Sequence, residues 1–382
     1  MADKQFTAEG QVGQRPAWLR SHVPELDGLR GIAILAVVFY HCEGKFTGTE
    51  LHKIVEWGWA GVNLFFVLSG FLITGIILDS RDDPHFFRNF YARRSLRIWP
   101  VYVLLLLLVF VLVPLVFDGF WTAAYLTRHA PWPYLVLFVQ NLFVLSLPGT
   151  IGPTWSLAIE EQFYVVWAPV ARFIRNRNLM IALLMVIVAS PFMRAANHGS
   201  LTPTHTLIHL DGLAFGSLIA VALRTLNWSA ARFRNVAIAA IATAIPILAY
   251  LLYVGSAFSD SFLALLFAGM LLLALTTSGS RGLYNRALNV APLRFYGRIS
   301  YGLYMIHILA FTLIGAFDEK MSPYGVGGSM TVVAVRIALA TLVATAMWYC
   351  FEQPILKLKR YFHAHGKSEP EVQSPLVVAT AD

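Results

Sequence analysis

Eleven apolar runs fill this chain between residues 31 and 351, at 31–48, 59–78, 98–117, 134–147, 155–173, 179–195, 206–223, 235–254, 260–277, 299–317 and 331–351. The hydrocarbon core of a bilayer is about 30 Å thick and takes about 20 helical residues to cross. All the runs but 134–147 reach 17 residues or more. Inside lipid every backbone N–H and C=O needs an internal partner, so only helices or closed barrels can span it. These runs lack the period-2 alternation of a lipid-facing strand, which points to helices. The charged fraction agrees: it is 13%, against roughly 25% in a soluble domain. The expected fold class is all-α, a polytopic membrane protein.

What lies outside the runs is short. Residues 1–24 are polar and lack an apolar stretch, so they are expected to form an N-terminal segment rather than a cleavable signal peptide. A membrane domain is expected over 25–355. A tail follows over 356–382, polar from Gly366 onward and expected to be disordered. Cys42 and Cys350 both fall at the ends of apolar runs and read as packing residues.

Charge orients the spans. The run 134–147 is the shortest, and Pro131, Pro133 and Pro148 bracket it, which suits a re-entrant or interfacial segment. If it does not cross and the N-terminus is cytoplasmic, 23 Lys and Arg residues face inward, 5 face outward, and Arg336 lies within a span. If it does cross, the split becomes 11 inside and 17 outside. Cytoplasmic loops carry the excess of Lys and Arg, so about ten spans with both termini cytoplasmic are predicted. The net charge of +8 is spread over many short loops. That reflects membrane topology and not a nucleic-acid surface.

Ionisable groups inside a bilayer are costly and tend to be functional. The first run, with its flank, reads ELDGLRGIAILAVVFYHC. Arg30 and His41 are eleven residues apart, so a helix brings them to one face, separated by about 16 Å along its axis. Arg30 then sits at the cytoplasmic lip and His41 near mid-membrane, where a neutral imidazole is suited to act as a base. Asp27 is a candidate cap or ion-pair partner for Arg30. In the second run Asn63, Gly70 and Gly75 read as packing residues, and Ser69 as a polar contact.

The stretch FFRNFYARRSLRIWPVY follows at 86–102. It gathers Arg88, Arg93, Arg94 and Arg97 on the cytoplasmic side. Arg94 and Arg97 share a helix face, and arginine forks bind phosphate well. Anionic lipid is the competing ligand. TWSLAIEEQFYVVW places Glu160 and Glu161 a few residues below the outer surface, on different helix faces, so at most one looks into a given cavity. Further on, His205, His209 and Asp211 fall near the outer side. His307 is expected two turns into its helix, Arg336 within a span in need of a counter-charge or a cavity, and Glu352 at the end of the last run. No Walker loop, dinucleotide motif or metal-ligand pair occurs.

Taken in order, LDGLRGIAILAVVFYH, FFVLSGFLIT, RRSLRIWPVY, TWSLAIEEQFY, SYGLYMIH and FEQP resemble the family 3 membrane acyltransferases, over roughly residues 24–355. The resemblance implies O-acylation of a cell-envelope carbohydrate such as lipopolysaccharide or exopolysaccharide, with macrolide or glycolipid acceptors as alternatives, at the bacterial inner membrane. It implies an acyl-CoA donor, acetyl-CoA in most members, and no metal. On this basis Arg30, Arg93, Arg94 and Arg97 are expected to hold CoA, while His41 acts as base and Glu160 or Glu161 binds the acceptor or orients the imidazole. Asp27, Ser69, Asp211, His307, Arg336 and Glu352 are expected in substrate contacts or structural polar roles. Direct transfer and an acyl-histidine intermediate remain alternatives. The esterase-like domain fused in some members is not expected within this chain, so such a step would fall to a separate periplasmic partner. A transporter or flippase of a sugar-lipid is the rival class; it predicts paired broken helices in two halves, and none is visible.

Overall fold

The computed structural model describes residues 15–112, 115, 132–144, 147, 149–321 and 325–362. Among the described residues every regular element is helical. Ten helices have sixteen residues or more: α1 (Glu25–Tyr40), α2 (Ala60–Asp79), α3 (Phe86–Leu107), α4 (Thr154–Phe173), α5 (Asn176–Ala196), α6 (Leu210–Thr225), α7 (Ala230–Tyr253), α8 (Ser259–Thr277), α9 (Ala291–Leu313) and α10 (Gly325–Met347). Residues 1–14, the tail expected to be disordered from Gly366, and Pro131 and Pro148 lie outside the described residues. Helical structure runs on past the expected domain end at 355, to Phe362.

Among the described residues six helical stretches are long and apolar enough to cross a membrane: Glu50–Asp79, Phe86–Leu112, Asn176–Ala196, Ala230–Tyr253, Ser259–Thr277 and Gly328–Phe362. The four long helices outside this set are α1, α4, α6 and α9, which carry Arg30, Glu160 with Glu161, Asp211, and His307. Length and polarity explain the division: α1 and α6 have 16 residues each, and α4 and α9 carry charged and other polar residues along their length. The apolar window of α7 is 11% buried and that of α5 22%. Both expose large apolar side chains such as Ile238, Ile245, Ile181 and Val188, as a lipid-facing helix must. The window of α2, by contrast, is 72% buried; α2 packs in the interior against α1, α4 and α6, where protein groups can satisfy the polar side chains.

Close backbone approach sets that packing. A Cβ at Gly70 of α2 would overlap the Leu213 carbonyl oxygen of α6, and one at Gly216 of α6 would overlap that of Val67. Helix α1 meets α9 in the same manner. A Cβ at Gly31 would strike the Leu293 carbonyl, and one at Gly297 that of Asp27. Since Gly31 abuts Leu293 and His41 abuts His307, the two helices run in the same direction.

Three helix boundaries depart from the sequence expectation. Helix α1 ends at Tyr40, not at residue 48, because Glu43–Lys45 form a separate tight turn around Gly44. His41 therefore caps the helix instead of lying partway along it. Helix α3 begins at Phe86, twelve residues before its apolar run, so Arg88 and Arg93 also stand within the helix that carries Arg94 and Arg97. Helix α9 begins at Ala291, with a proline in its first turn. His307 is thus sixteen residues in, about 24 Å from the start, instead of two turns. In both α3 and α9 the charged first turns hide the helix from a hydropathy pattern.

The segment expected not to cross forms two short helices, Trp132–Val136 and Gln140–Phe143, each too short to span. Phe138 between them has φ 54°, uncommon for a residue with a side chain. Its neighbours over-determine it. Gln162 donates to the Phe138 carbonyl at 2.7 Å and to Asn141 Oδ1 at 2.8 Å, and Gln140 donates to the Thr154 carbonyl at 3.0 Å. Asn141 also donates to Thr206 Oγ1 at 2.8 Å. Between helices, Arg224 of α6 binds Asp79 of α2 through two hydrogen bonds of 2.8 and 2.9 Å. Glu25, buried at the start of α1, accepts from Ser278, Gly279 and Asn289 in the α8–α9 connection.

Candidate active site

Five helices enclose a cleft of about 800 Å³, counting its open mouth. Helical spacing explains which side chains reach it. On α4, Ser156, Glu160 and Tyr164 recur every fourth residue and line one wall. On α3, Arg94 and Arg97 are three apart and line another. Arg30 comes from α1, Phe65 and Ser69 from α2, and Ser300, Tyr301 and Tyr304 from α9.

The charged lining comprises three guanidinium groups against one carboxylate. The Tyr164 hydroxyl donates to Glu160 Oε2 at 2.8 Å, and the Ser69 hydroxyl lies 2.6 Å from the same Tyr164 oxygen. The Arg94 guanidinium stands 6.0 Å from the Tyr164 ring centroid. Arg30 has a second anionic neighbour in Asp27, one turn earlier at 3.7 Å. An apolar, partly enclosed setting strengthens charge interactions relative to water. The surplus positive charge makes the cleft a site for an anion, and arginine forks suit phosphate oxygens.

The cleft stops at Tyr304. This ring meets Phe65 edge-on with centroids 6.0 Å apart, and its hydroxyl is 2.7 Å from Ser156 Oγ. One helical turn beyond lies a pair of imidazoles. His307 Nε2 is 3.2 Å from His41 Nδ1, with ring centroids 4.8 Å apart. His307 is fully buried, and its Nδ1 lies 2.8 Å from the Tyr304 carbonyl and 3.1 Å from that of Leu303. His41 Nδ1 lies 2.9 Å from the Val37 carbonyl. His41 and His307 do not line the cleft itself.

Arg30, Arg94, Arg97, Glu160 and Ser69 therefore converge in one cavity. Arg93 and Glu161 do not line it. Glu160, expected a few residues below the outer surface, shares the cleft with the arginines, because α3 brings Arg94 and Arg97 to the same cavity. Other candidates take up structural positions. Asp211 accepts from Arg194 at 2.7 Å and from Ser261 at 2.6 Å. The counter-charge of Arg336 is Asp318, which also pairs with Lys45 at 3.3 Å. Glu352 is buried in a π-turn over Trp348–Glu352, and a Cβ on Gly302 of α9 would overlap its carboxylate. His209 meets Trp155 at a tilt of 48°, with centroids 5.1 Å apart. Sequence pattern alone does not single out Ser156, Tyr164, Tyr301 and Tyr304 as lining residues. The four-residue spacing of Ser156 and Tyr164 about Glu160 was the available signal.

The profile of a family described as an acyltransferase domain matches residues 23–351. The peptidoglycan O-acetyltransferase OatA of Listeria monocytogenes is 27% identical over 369 residues, covering 88% of this chain and 56% of that protein. The O-acetyltransferase OatA of Staphylococcus aureus is 26% identical over 370 residues, covering 88% of this chain and 57% of its own length. The chain thus spans little more than half the length of these relatives. No solved structure matches.

Proposed function

The chain belongs to the family 3 membrane acyltransferases, and from that premise we propose that it transfers an acyl group, acetyl in the first instance, from acyl-CoA to a hydroxyl of a cell-envelope glycan. The observation that carries this reading is the convergence of Arg30, Arg94 and Arg97 in a cleft that ends one helical turn from the His41–His307 pair. The cleft suits a phosphate-bearing donor on chemical grounds: it offers planar, permanently charged forks in a partly desolvated setting. Arg30, Arg94 and Arg97 would hold the CoA phosphates. The chemistry the donor supplies is an activated thioester carbonyl.

His41 takes the proton from the acceptor hydroxyl as its oxygen attacks that carbonyl, and returns the proton to the departing sulfur. An O–C bond forms, a C–S bond breaks, and His41 ends as it began. Tyr304 and Ser156, hydrogen-bonded across the end of the cleft, stand between the arginines and the imidazoles and limit passage of water. The acceptor class rests on the similarity to the Listeria peptidoglycan O-acetyltransferase, and the orientation in the membrane on the charge count.

That count, with ten long helices, also supports ten spans, both termini cytoplasmic, and residence in a bacterial inner membrane. A reporter fused after Arg177 is then cytoplasmic; an external reporter overturns this topology. The functional test compares O-acetyl ester content of envelopes from cells with the chain, without it, and with His41→Ala. Esters that depend on the chain and vanish in His41→Ala, at equal membrane levels, are expected. Full ester content in that variant would refute the role of His41.

A further inference from the structure

The hydrogen-bond geometry of the two imidazoles goes beyond naming His41 as a base. A neutral imidazole carries one N–H, on either nitrogen, and only the bare nitrogen can take a proton. Which nitrogen is bare is set by the bonds the other one makes. His307 Nδ1 faces two backbone carbonyl oxygens, of Tyr304 at 2.8 Å and Leu303 at 3.1 Å. Carbonyls only accept, so Nδ1 of His307 carries the hydrogen and its Nε2 presents a lone pair. That lone pair is 3.2 Å from His41 Nδ1, whose other neighbour is the Val37 carbonyl at 2.9 Å. His41 Nδ1 therefore faces two acceptors and must itself carry a hydrogen.

We propose that His307 is a positioning residue: its Nε2 accepts from His41 Nδ1–H, and so fixes His41 in the tautomer whose Nε2 is bare and ready to accept the acceptor hydroxyl proton. The single Nδ1–H is shared with the Val37 carbonyl at 2.9 Å, which belongs to His41's own helix; His307 adds an acceptor from a second helix and so ties the ring to α9. Tyr304 belongs to the same arrangement. Its backbone oxygen sets the His307 tautomer, while its side chain closes the cleft one turn below.

This rests on the reading of His41 as the base, and two measurements keep the claims apart. The first is the ¹⁵N spectrum of the full chain in detergent, labelled at histidine, with the His41 signals assigned by comparison with His41→Ala. A protonated Nδ1 and bare Nε2 are expected for His41 in the unaltered chain and in His307→Gln, whose side-chain oxygen can still accept. In His307→Leu a mixture of tautomers is expected. A protonated Nε2 in the unaltered chain, or an unchanged tautomer in His307→Leu, overturns the proposal.

The second is envelope O-acetyl ester formation at matched membrane levels. An orienting partner on a catalytic imidazole is worth on the order of 100-fold or more in turnover. His307→Leu should lose about that much, and His307→Gln should stay within about 10-fold of the unaltered chain. Equal loss in both variants, with both correctly inserted, assigns His307 a packing role and overturns the proposal. Full activity in His41→Ala removes the base reading instead, and the spectrum still decides the tautomer.

Discussion

The Tyr164 hydroxyl donates to the Glu160 carboxylate at 2.8 Å, one helical turn away on α4. Since that hydroxyl has a single hydrogen, the Ser69 oxygen 2.6 Å away is the donor to Tyr164. The resulting chain runs from α2 to α4 and ends on a half-buried carboxylate. A hydrogen bond to a charged group is worth about 1.5–3 kcal/mol when buried and less when half-exposed. Tyr164→Phe should lower stability in detergent by at most that amount, with Ser69→Ala at the lower end. Thermal unfolding reads the order: a Tyr164→Phe protein as stable as the unaltered chain would show that this chain of bonds does not hold α2 against α4.

The arginines divide by position, not by type. Arg94 and Arg97 line the cleft, and Arg93 does not. A charge-assisted hydrogen bond is worth about 1.5–3 kcal/mol. Arg94→Ala combined with Arg97→Ala should raise the apparent acetyl-CoA KM on the order of 100-fold, while Arg93→Ala shifts it by no more than about 3-fold. Donor titration in proteoliposomes measures both, and equal effects from all three arginines would move the donor site away from this cleft.

The crossing of α2 and α6 has no room for a methyl group at Gly216, where a Cβ meets the Val67 carbonyl oxygen. Backbone cannot move aside as a flexible side chain can. Overpacking costs about 1–3 kcal/mol, so Gly216→Ala should lower the Tm of the detergent-solubilised protein. Unchanged stability would mean that the two helices separate freely.

Acid sensitivity should arise in part from the α2–α3 connection. Burial tends to raise the Asp83 carboxyl, but hydrogen bonds from Asn89 and from the His85 backbone, with the charges of His85 and Arg172, outweigh it and leave the group below the ordinary aspartate value of 3.8. The folded state therefore binds that proton less readily than the unfolded chain. Its contribution to stability is fully present above pH 3.8, and falls as pH drops through the lower folded value. Asp83→Asn should flatten the stability profile in that acid range. A steep profile that persists unchanged in the variant would place the acid sensitivity elsewhere.

Much of this arrangement is legible in the sequence where a rule of spacing applies. Arg94 and Arg97 share a face because they are three apart, and Glu160 and Glu161 diverge because they are adjacent; only Glu160 enters the cleft. The short run 134–147 is broken in the structure, as its length and prolines suggest. What escapes is whatever depends on where a helix begins. Arg294 and Arg298 fall outside the apolar run at 299–317, yet α9 starts before them, and those extra turns bring His307 beside His41. In α1 the opposite happens, since an apolar run that continues past Cys42 hides a turn. Tyr304 and Ser156 meet across helices that are distant in sequence, and no local pattern encodes such a pair.

The glycine contacts between α1 and α9 lie near the start of each helix, about 15 Å of helix rise from the histidines. They serve as the datum from which the far end is measured. A slip of a single turn along this contact would displace one imidazole by about 5.4 Å relative to the other, well beyond hydrogen-bond reach. The alignment of the two imidazoles is thus gauged at the opposite end of the helix pair, where no side chain touches either ring.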